Sequence, residues 1–427
     1  MAIDDSMQAR ITTNCPEPTR EILLHAWSHD VPSLKALLDA PGKSSSQDPE
    51  TGETPLHAAI RACGPASGED DGDDMTLDEA QKTLETLFLR GAIWNDVDSN
   101  NETPGCVAHR LGQKTLYRLC MEAGVRAELL FGLMDGYEEL SSGDEMDEDE
   151  PEEEENGEEA TAQEDAAEPS APETEEKKFV PPAVADPDVK SDDYLRSALT
   201  YTDGKLVDDR DNGVMMAWET DIMRRSVDAL LPPGTTTSGK RILNVGFGMG
   251  IVDGMFAATN PSRHHVIEAH PEVLAHIDTS PECAFGAAWE ASGPEAGAFK
   301  IHRGRWQDVV PKLLEAGEVY DAIYFDTFGE DYAQLKLFFT EYVPGLLDGE
   351  GRFGFFNGLG ADRRICYDVY TKVVEMHMAD AGMDVEWDEI DVDMKGMEEA
   401  GKGEWEGVKR RYWTLDKYRL PTCTFMG

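Results

Sequence analysis

Residues 241–251 read RILNVGFGMGI, an apolar run that breaks into three glycines at alternate positions, Gly246, Gly248 and Gly250. A strand ending in such a loop lets the backbone turn tightly and approach a bound nucleoside, with the N-terminus of the following helix facing it. By itself G-x-G-x-G says little, and its weight comes from the residues downstream. HHVIEAH (264–270) reads as a second strand, and Glu268 stands 22 residues after Gly246. A carboxylate there can accept hydrogen bonds from both ribose hydroxyls of an adenosine-containing cofactor.

NAD and S-adenosylmethionine share those two features, so the wider pattern has to separate them. FKIHRG (299–304), VYDAIYFDTF (319–328) and GRFGFFNG (351–358) read as further strands. The runs LKLFFTEYVPGLLD (335–348) and RRICYDVYTKVVEMHMADAGM (363–383) read as helices between and after them. Strands alternating with helices indicate a parallel α/β sheet. Upstream, GVMMAWETDIMRRSVDALLP (213–232) is expected to be one helix, with Met216, Met223, Val227 and Leu230 on one face. DVEWDEIDV (384–392) and RRYWTLDKYRL (410–420) close the chain as two strand-like runs. Five parallel strands followed by a strand pair is the order of a seven-stranded methyltransferase rather than a dinucleotide dehydrogenase.

Ahead of this lies a different composition. From Glu138 to Glu176 there are twenty acids and no Lys or Arg, a stretch too polar to offset the entropy of ordering it. It reads as a disordered linker, with docking of a basic partner as the other use of such a run. The whole chain has 38 Lys+Arg against 86 Asp+Glu, and subtracting the twenty from the net charge of -48 leaves -28 on the rest. Such a surface disfavours direct nucleic-acid binding and attachment to an anionic membrane, and favours a cationic partner. Seven cysteines without a C-x-x-C pair fit reduced thiols and give no metal site. The acidic start MAIDDSMQAR and the lack of a run of ~20 apolar residues suggest a soluble intracellular protein.

Before the linker two stretches resemble each other, one starting at Leu34 and one at Leu84. Each runs from a leucine-rich helix through a turn with an Asp (Asp48, Asp98) to an E-T-P turn that opens another helix, with Thr54 and Thr103 49 residues apart. That offset is an ankyrin period of ~33 enlarged by the acidic loop Gly64–Met75. Thr caps the helix, Pro55 starts it where no N–H is needed, and His57 is expected to bond across to the neighbouring repeat. The expected organisation is therefore an all-α ankyrin-like repeat region over 1–133, an acidic linker over 134–188, and an α/β seven-stranded Rossmann-like methyltransferase domain over 189–427.

VMMAWET (214–220), NVGFGMGI (244–251), VIEAHP (266–271), GRWQDV (304–309) and YDAIYFDTF (320–328) follow one another in the order and spacing of guanidinoacetate methyltransferase. With the repeats in front, the whole chain resembles the fungal protein-arginine N-delta-methyltransferases, the type IV enzymes. That resemblance implies an S-adenosylmethionine site lined by Tyr201, Met215, Gly246, Phe247, Gly248, Met249, Gly250, Ile251, Glu268, Ala269, His270, Arg305, Trp306 and Asp326. It implies that Glu219 and Asp326 hold the guanidinium. It also implies a ribosomal protein substrate and residence in cytoplasm and nucleus. One departure is Asn244, where guanidinoacetate methyltransferase has an acid.

The chemistry agrees with the resemblance. A guanidinium is cationic and a poor nucleophile, so a methylating enzyme needs carboxylates that orient it and accept its proton. Two other readings are small-molecule guanidine methylation and a non-catalytic scaffold. The repeats and length argue against the first. The combination of Gly246, Glu268, Glu219 and Asp326 argues against the second.

Overall fold

Two units of different construction make up the chain, Met1–Pro182 and Ala183–Gly427. The computed structural model describes residues 3–66, 75–141, 178–181, 189–202, 204–232, 237–399, 401–409 and 411–427.

The second unit opens with an antiparallel meander of β1 (Leu199–Thr202), β2 (Lys205–Asp208) and β3 (Gly213–Met216). The main sheet follows, with β4 (Arg241–Val245), β5 (Arg263–Glu268), β6 (Phe299–Arg303), β7 (Tyr320–Phe325), β8 (Leu347–Phe355), β9 (Met383–Asp391) and β10 (Lys417–Phe425). Its order is β6-β5-β4-β7-β8-β10-β9. The first five strands are parallel, and β10 runs antiparallel to both neighbours. This is the expected seven-stranded methyltransferase fold. The order reverses at β4, which lies between β5 and β7, and open α/β sheets place ligands beyond the carboxyl ends of the strands at such a point.

Side chains that alternate along the strands divide the core between the two faces of the sheet. Leu243, Val245, Ile323 and Phe325 join Trp306, Val310, Phe338 and Phe353 on one face. Ile242, Ala322, Tyr324 and Val266 join Met223, Val227, Leu230, Val252 and Phe256 on the other.

Two expectations are corrected. The stretch 213–232 is not one helix: Gly213–Met216 pairs with β2, Ala217–Glu219 is a 3-10 turn, and the helix spans Thr220–Leu230. The Glu219 carboxylate accepts the Met216 N–H at 3.0 Å, which fixes the change from strand to helix. The last strand starts at Lys417, not at Arg410, and ends at Phe425. The 411–416 segment is instead held by side chains, Trp413 and Leu415 being buried.

The first unit is all-α. Helices Glu17–Trp27 and Val31–Leu37, Pro55–Ala62 and Met75–Leu89, and Pro104–Arg110 and Lys114–Ser141 form three successive pairs. The two similar stretches fold alike. Thr54 and Thr103 accept the N–H of the third residue on, each followed by Pro at the first helical position. Asp48 and Asp98 each accept backbone N–H groups of their own turn. His57 Nε2 lies 2.9 Å from the Glu102 carbonyl, so it does bridge to the next turn. The last helix continues through Ser141, into the stretch read as linker. Most of that acidic run, 142–176, and residues 67–74 of the acidic loop lie outside the described residues. Among those described, no helix is long and apolar enough to cross a membrane.

An ion network ties the turns together. The Arg61 guanidinium, fully buried, reaches Glu53 at 2.5 Å and Asp98 at 2.7 Å. Arg10, from the N-terminal segment, pairs with the same two acids. Removing one partner of a buried pair leaves an uncompensated charge, which costs about 3–5 kcal/mol. Asp98→Ala should therefore destabilise Met1–Pro182 by that order. Urea unfolding and hydrogen exchange across residues 10–61 measure it, and a loss under 1 kcal/mol contradicts the assignment.

Candidate active site

Three residues from different strands stand level at the edge of the sheet. The register pairs Val245 with Ile267 on one side and Phe325 on the other, so Gly246, Glu268 and Asp326 are the next residues out. The Asp326 N–H donates to the Val245 carbonyl at 2.8 Å, and the Gly246 N–H to the Ile267 carbonyl at 2.9 Å. Gly246 has φ +95°, and a Cβ there would lie 1.8 Å from the Asp326 carbonyl oxygen. Only glycine permits this approach. At Gly248 a Cβ would fall 2.6 Å from the Met215 methyl, and the Met249 N–H points at the Met215 sulfur at 3.3 Å. Met215, on β3, thus packs directly under the glycine loop.

Glu268 holds the loop from the other side. Its buried carboxylate accepts the Phe247 N–H at 2.9 Å and the His270 N–H at 2.6 Å. Burial raises its pKa and those backbone donors oppose the rise. The Gly248 and Ala269 N–H groups also act on it, and no Lys or Arg among the described residues pairs with it, a setting of neutral donors to which ribose hydroxyls are suited better than a cation. A glycine cradle, a buried acid free of side-chain cations and a neighbouring second acid fit a cofactor that joins a ribose to a sulfonium.

Glu219 and Asp326 form the acidic pole. Glu219 is 5% exposed, and burial together with the Asp326 charge pushes its carboxyl up to about 8. Met216 N–H and the Tyr412 hydroxyl donate to its two oxygens, at 3.0 and 2.5 Å. For Asp326, desolvation alone raises the carboxyl to about 7. One acid is fixed by two donors, and the other has no hydrogen-bond donor on its side chain among the described residues.

The remaining expected residues occupy distinct positions. The Tyr201 ring stacks on His276 at 4.1 Å, with its hydroxyl 3.5 Å from the Gly248 carbonyl. Phe247 is buried against Phe285, while Met249 and Ile251 are partly exposed on the loop and the helix it starts. Ala269 links Glu268 to His270, whose Nε2 lies 2.9 Å from the Tyr194 carbonyl. Arg305 pairs outward with Asp192, and the Trp306 ring is core, its indole N–H donating to Glu330. Both stand at the start of helix Trp306–Glu315, and neither side chain is seen to contact the glycine loop.

Sequence reasoning missed Tyr194, whose ring packs on His270 and Phe328 at 4.6 and 4.9 Å, and Tyr412. Tyr194 sits in no periodic or glycine-rich pattern that would single it out, and Tyr412 lies inside a run that reads as a plain strand. Among the described residues no group of three or more His, Cys, Asp or Glu is placed to hold a metal.

Comparison with known proteins shows what the chain resembles. Residues 199–377 match the guanidinoacetate N-methyltransferase family model. The chain is 65% identical over 416 residues to protein arginine N-methyltransferase 2 of Gibberella zeae, covering 97% of this chain and 94% of that one. It is 64% identical over 434 residues to the protein of that name from Neurospora crassa, covering all of both chains. Among solved structures, a putative SAM-dependent methyltransferase from Streptococcus mutans aligns at TM-score 0.33 and 12% identity over 53% of this chain and 55% of that one.

The level contact of Gly246 with Asp326 gives a direct test. Gly246→Ala must push the loop off the β7 end, and S-adenosylmethionine affinity should fall at least tenfold by calorimetry. Gly254→Ala, where a Cβ meets nothing within 4 Å, should leave it within twofold. Equal affinities for both variants would remove the loop from the cofactor site.

Proposed function

We propose a specific reaction for this chain, which belongs to the protein arginine N-methyltransferase 2 family: transfer of one methyl group to the delta nitrogen of an arginine residue in a basic protein. The observation that carries it is the pair Glu219 and Asp326, two acids at the glycine-loop edge whose carboxyls are both raised by burial and which no side-chain cation among the described residues accompanies. A guanidinium supplies the missing positive charge and enough N–H donors for both.

S-adenosylmethionine, when bound, supplies an electrophilic methyl carbon. The chain supplies everything that makes the arginine a nucleophile. Glu219, fixed by Met216 and Tyr412, grips one terminal nitrogen, and Asp326 grips the other. Asp326 takes a proton from the terminal nitrogen it holds, the lone pair of the substituted nitrogen forms the new N–C bond as the C–S bond breaks, and the hydrogen of the substituted nitrogen passes to the terminal nitrogen that lost one. The positive charge thereby passes from the sulfonium to the methylated guanidinium. With both terminal nitrogens occupied, the internal nitrogen is the one left to face the methyl group.

Net charge and the first unit favour a protein substrate. An acidic surface attracts cationic chains, and ribosomal proteins are the class that the family likeness suggests, met in cytoplasm and nucleus. The helix pairs of Met1–Pro182, read as ankyrin-like repeats, give such a substrate contact surface beyond the arginine itself. Methylation of a small guanidine would leave that unit unused, and guanidinoacetate assayed beside a basic ribosomal protein discriminates the two.

Asp326→Asn should keep cofactor affinity and lose on the order of 10²–10⁴-fold in single-turnover rate, the range for a positioned acid-base group. Because a cation binds ionised carboxylates and both acids are raised, kcat/KM should climb as pH rises from about 6 to about 9, with apparent pKa values that belong to the pair. Fragment-ion mass spectrometry of the product should show delta-methylarginine. Omega-methylarginine as the sole product, or a wild-type rate for Asp326→Asn, would overturn the assignment.

A further inference from the structure

We infer that Tyr412 is a positioning residue for the arginine substrate, setting the Glu219 carboxylate from a segment that belongs neither to the parallel strands nor to the glycine loop. This rests on Glu219 being a guanidinium-binding group.

The geometry is specific. The phenol O–H donates to Glu219 Oε1 at 2.5 Å, while the Met216 N–H donates to Oε2 at 3.0 Å. Two donors from opposite sides leave the carboxylate one orientation, with one lone-pair direction per oxygen still open. Tyr412 is itself held: its ring stands edge-on to Trp405 at 5.0 Å and lies 6.0 Å from Trp218. Gly213 on β3 makes the space, since a Cβ there would meet the Tyr412 ring at 3.3 Å and Val408 at 3.4 Å. Trp405, Val408 and Trp413 are buried in the same cluster. Residue 412 also lies beyond the stretch 199–377 matched by the guanidinoacetate N-methyltransferase family model.

Asp326 at the end of β7, Tyr324 on β7 and Tyr418 on β10 are the titratable groups that face Glu219 among the described residues. Apart from Tyr412, none of them donates to Oε1 in this structure. Loss of the phenol O–H therefore costs a hydrogen bond to a buried charge, and leaves a carboxylate that takes up a proton more readily and can turn away from the guanidinium. A hydrogen bond to a charged group corresponds to about 10- to 100-fold in binding.

The test is Tyr412→Phe in the full-length protein, scored as total methyl incorporation from labelled S-adenosylmethionine so that the product nitrogen does not matter. KM for the arginine substrate should rise about 10- to 100-fold, with kcat and cofactor Kd within about threefold. The acid limb of kcat/KM should move to higher pH. Unchanged KM and pH profile in a variant that binds cofactor normally would overturn the proposal, as would a fall in kcat alone. Should Tyr412→Phe fail to fold, 3-fluorotyrosine at 412 keeps the shape and strengthens the donor. The acid limb should then move to lower pH, and an unmoved limb overturns the proposal. Glu219→Gln, run in parallel, separates the two claims. A wild-type KM for that variant removes Glu219 from substrate binding and the proposal with it, whereas a defective Glu219→Gln beside a normal Tyr412→Phe removes Tyr412 alone.

Discussion

The approach of β4 to β7 at their carboxyl ends is the constraint on which the site depends. The Asp326 N–H is bonded to the Val245 carbonyl, and the Asp326 carbonyl occupies the space where any side chain at 246 would begin. The glycine loop and Asp326 are therefore one rigid feature, fixed by strand register, and not two motifs that happen to be neighbours. Glu268 completes it, because its carboxylate bonds Phe247 N–H on the loop and His270 N–H on the chain leaving β5. An acid suited to a ribose is thus also the strut that sets the loop's height over the sheet.

Electrostatically the site is poised for cations. Glu219, Glu268 and Asp326 converge on one edge, all with raised pKa values, and burial is the first cause in each. Of the three, only Glu219 is raised further by a neighbouring acid, the Asp326 charge. Ionising a buried carboxyl is costly, and a cation placed beside it offsets that cost, so a buried acidic edge of this kind favours a positively charged ligand.

Most of this edge is legible in the sequence because it lies where strands end. An apolar run followed by glycine, Glu or Asp marks three strand ends, and their register gives Gly246, Glu268 and Asp326 a common level. The succession of five strands and a closing strand pair is legible from the alternation of strands and helices. What escapes is built by side chains from irregular segments. Tyr412 sits in RRYWTL, a run that alternates like a strand yet is held open by Trp405, Trp413 and Gly213. Tyr194 lies in a four-residue helix, Ser191–Tyr194, with no apolar face. The stretch 213–216 reads as helix because methionines space well on either element, and only pairing with β2 decides it.

Asn244 shows how a departure from the family pattern is absorbed. An acid at that position in β4 would put a further carboxylate beside the glycine loop. Here the Asn244 amide donates to the Gly246 carbonyl at 2.7 Å and to Asp253 Oδ2 at 2.8 Å. Asp253 in turn lies 2.9 Å from His264 Nε2, and both are buried. The negative charge has moved one layer down, onto the helix that follows the loop, where an imidazole and an amide surround it. Asn244 still fixes the loop through Gly246, so its positional role is kept. Asp326 and Glu268 remain the two acids level with the glycine.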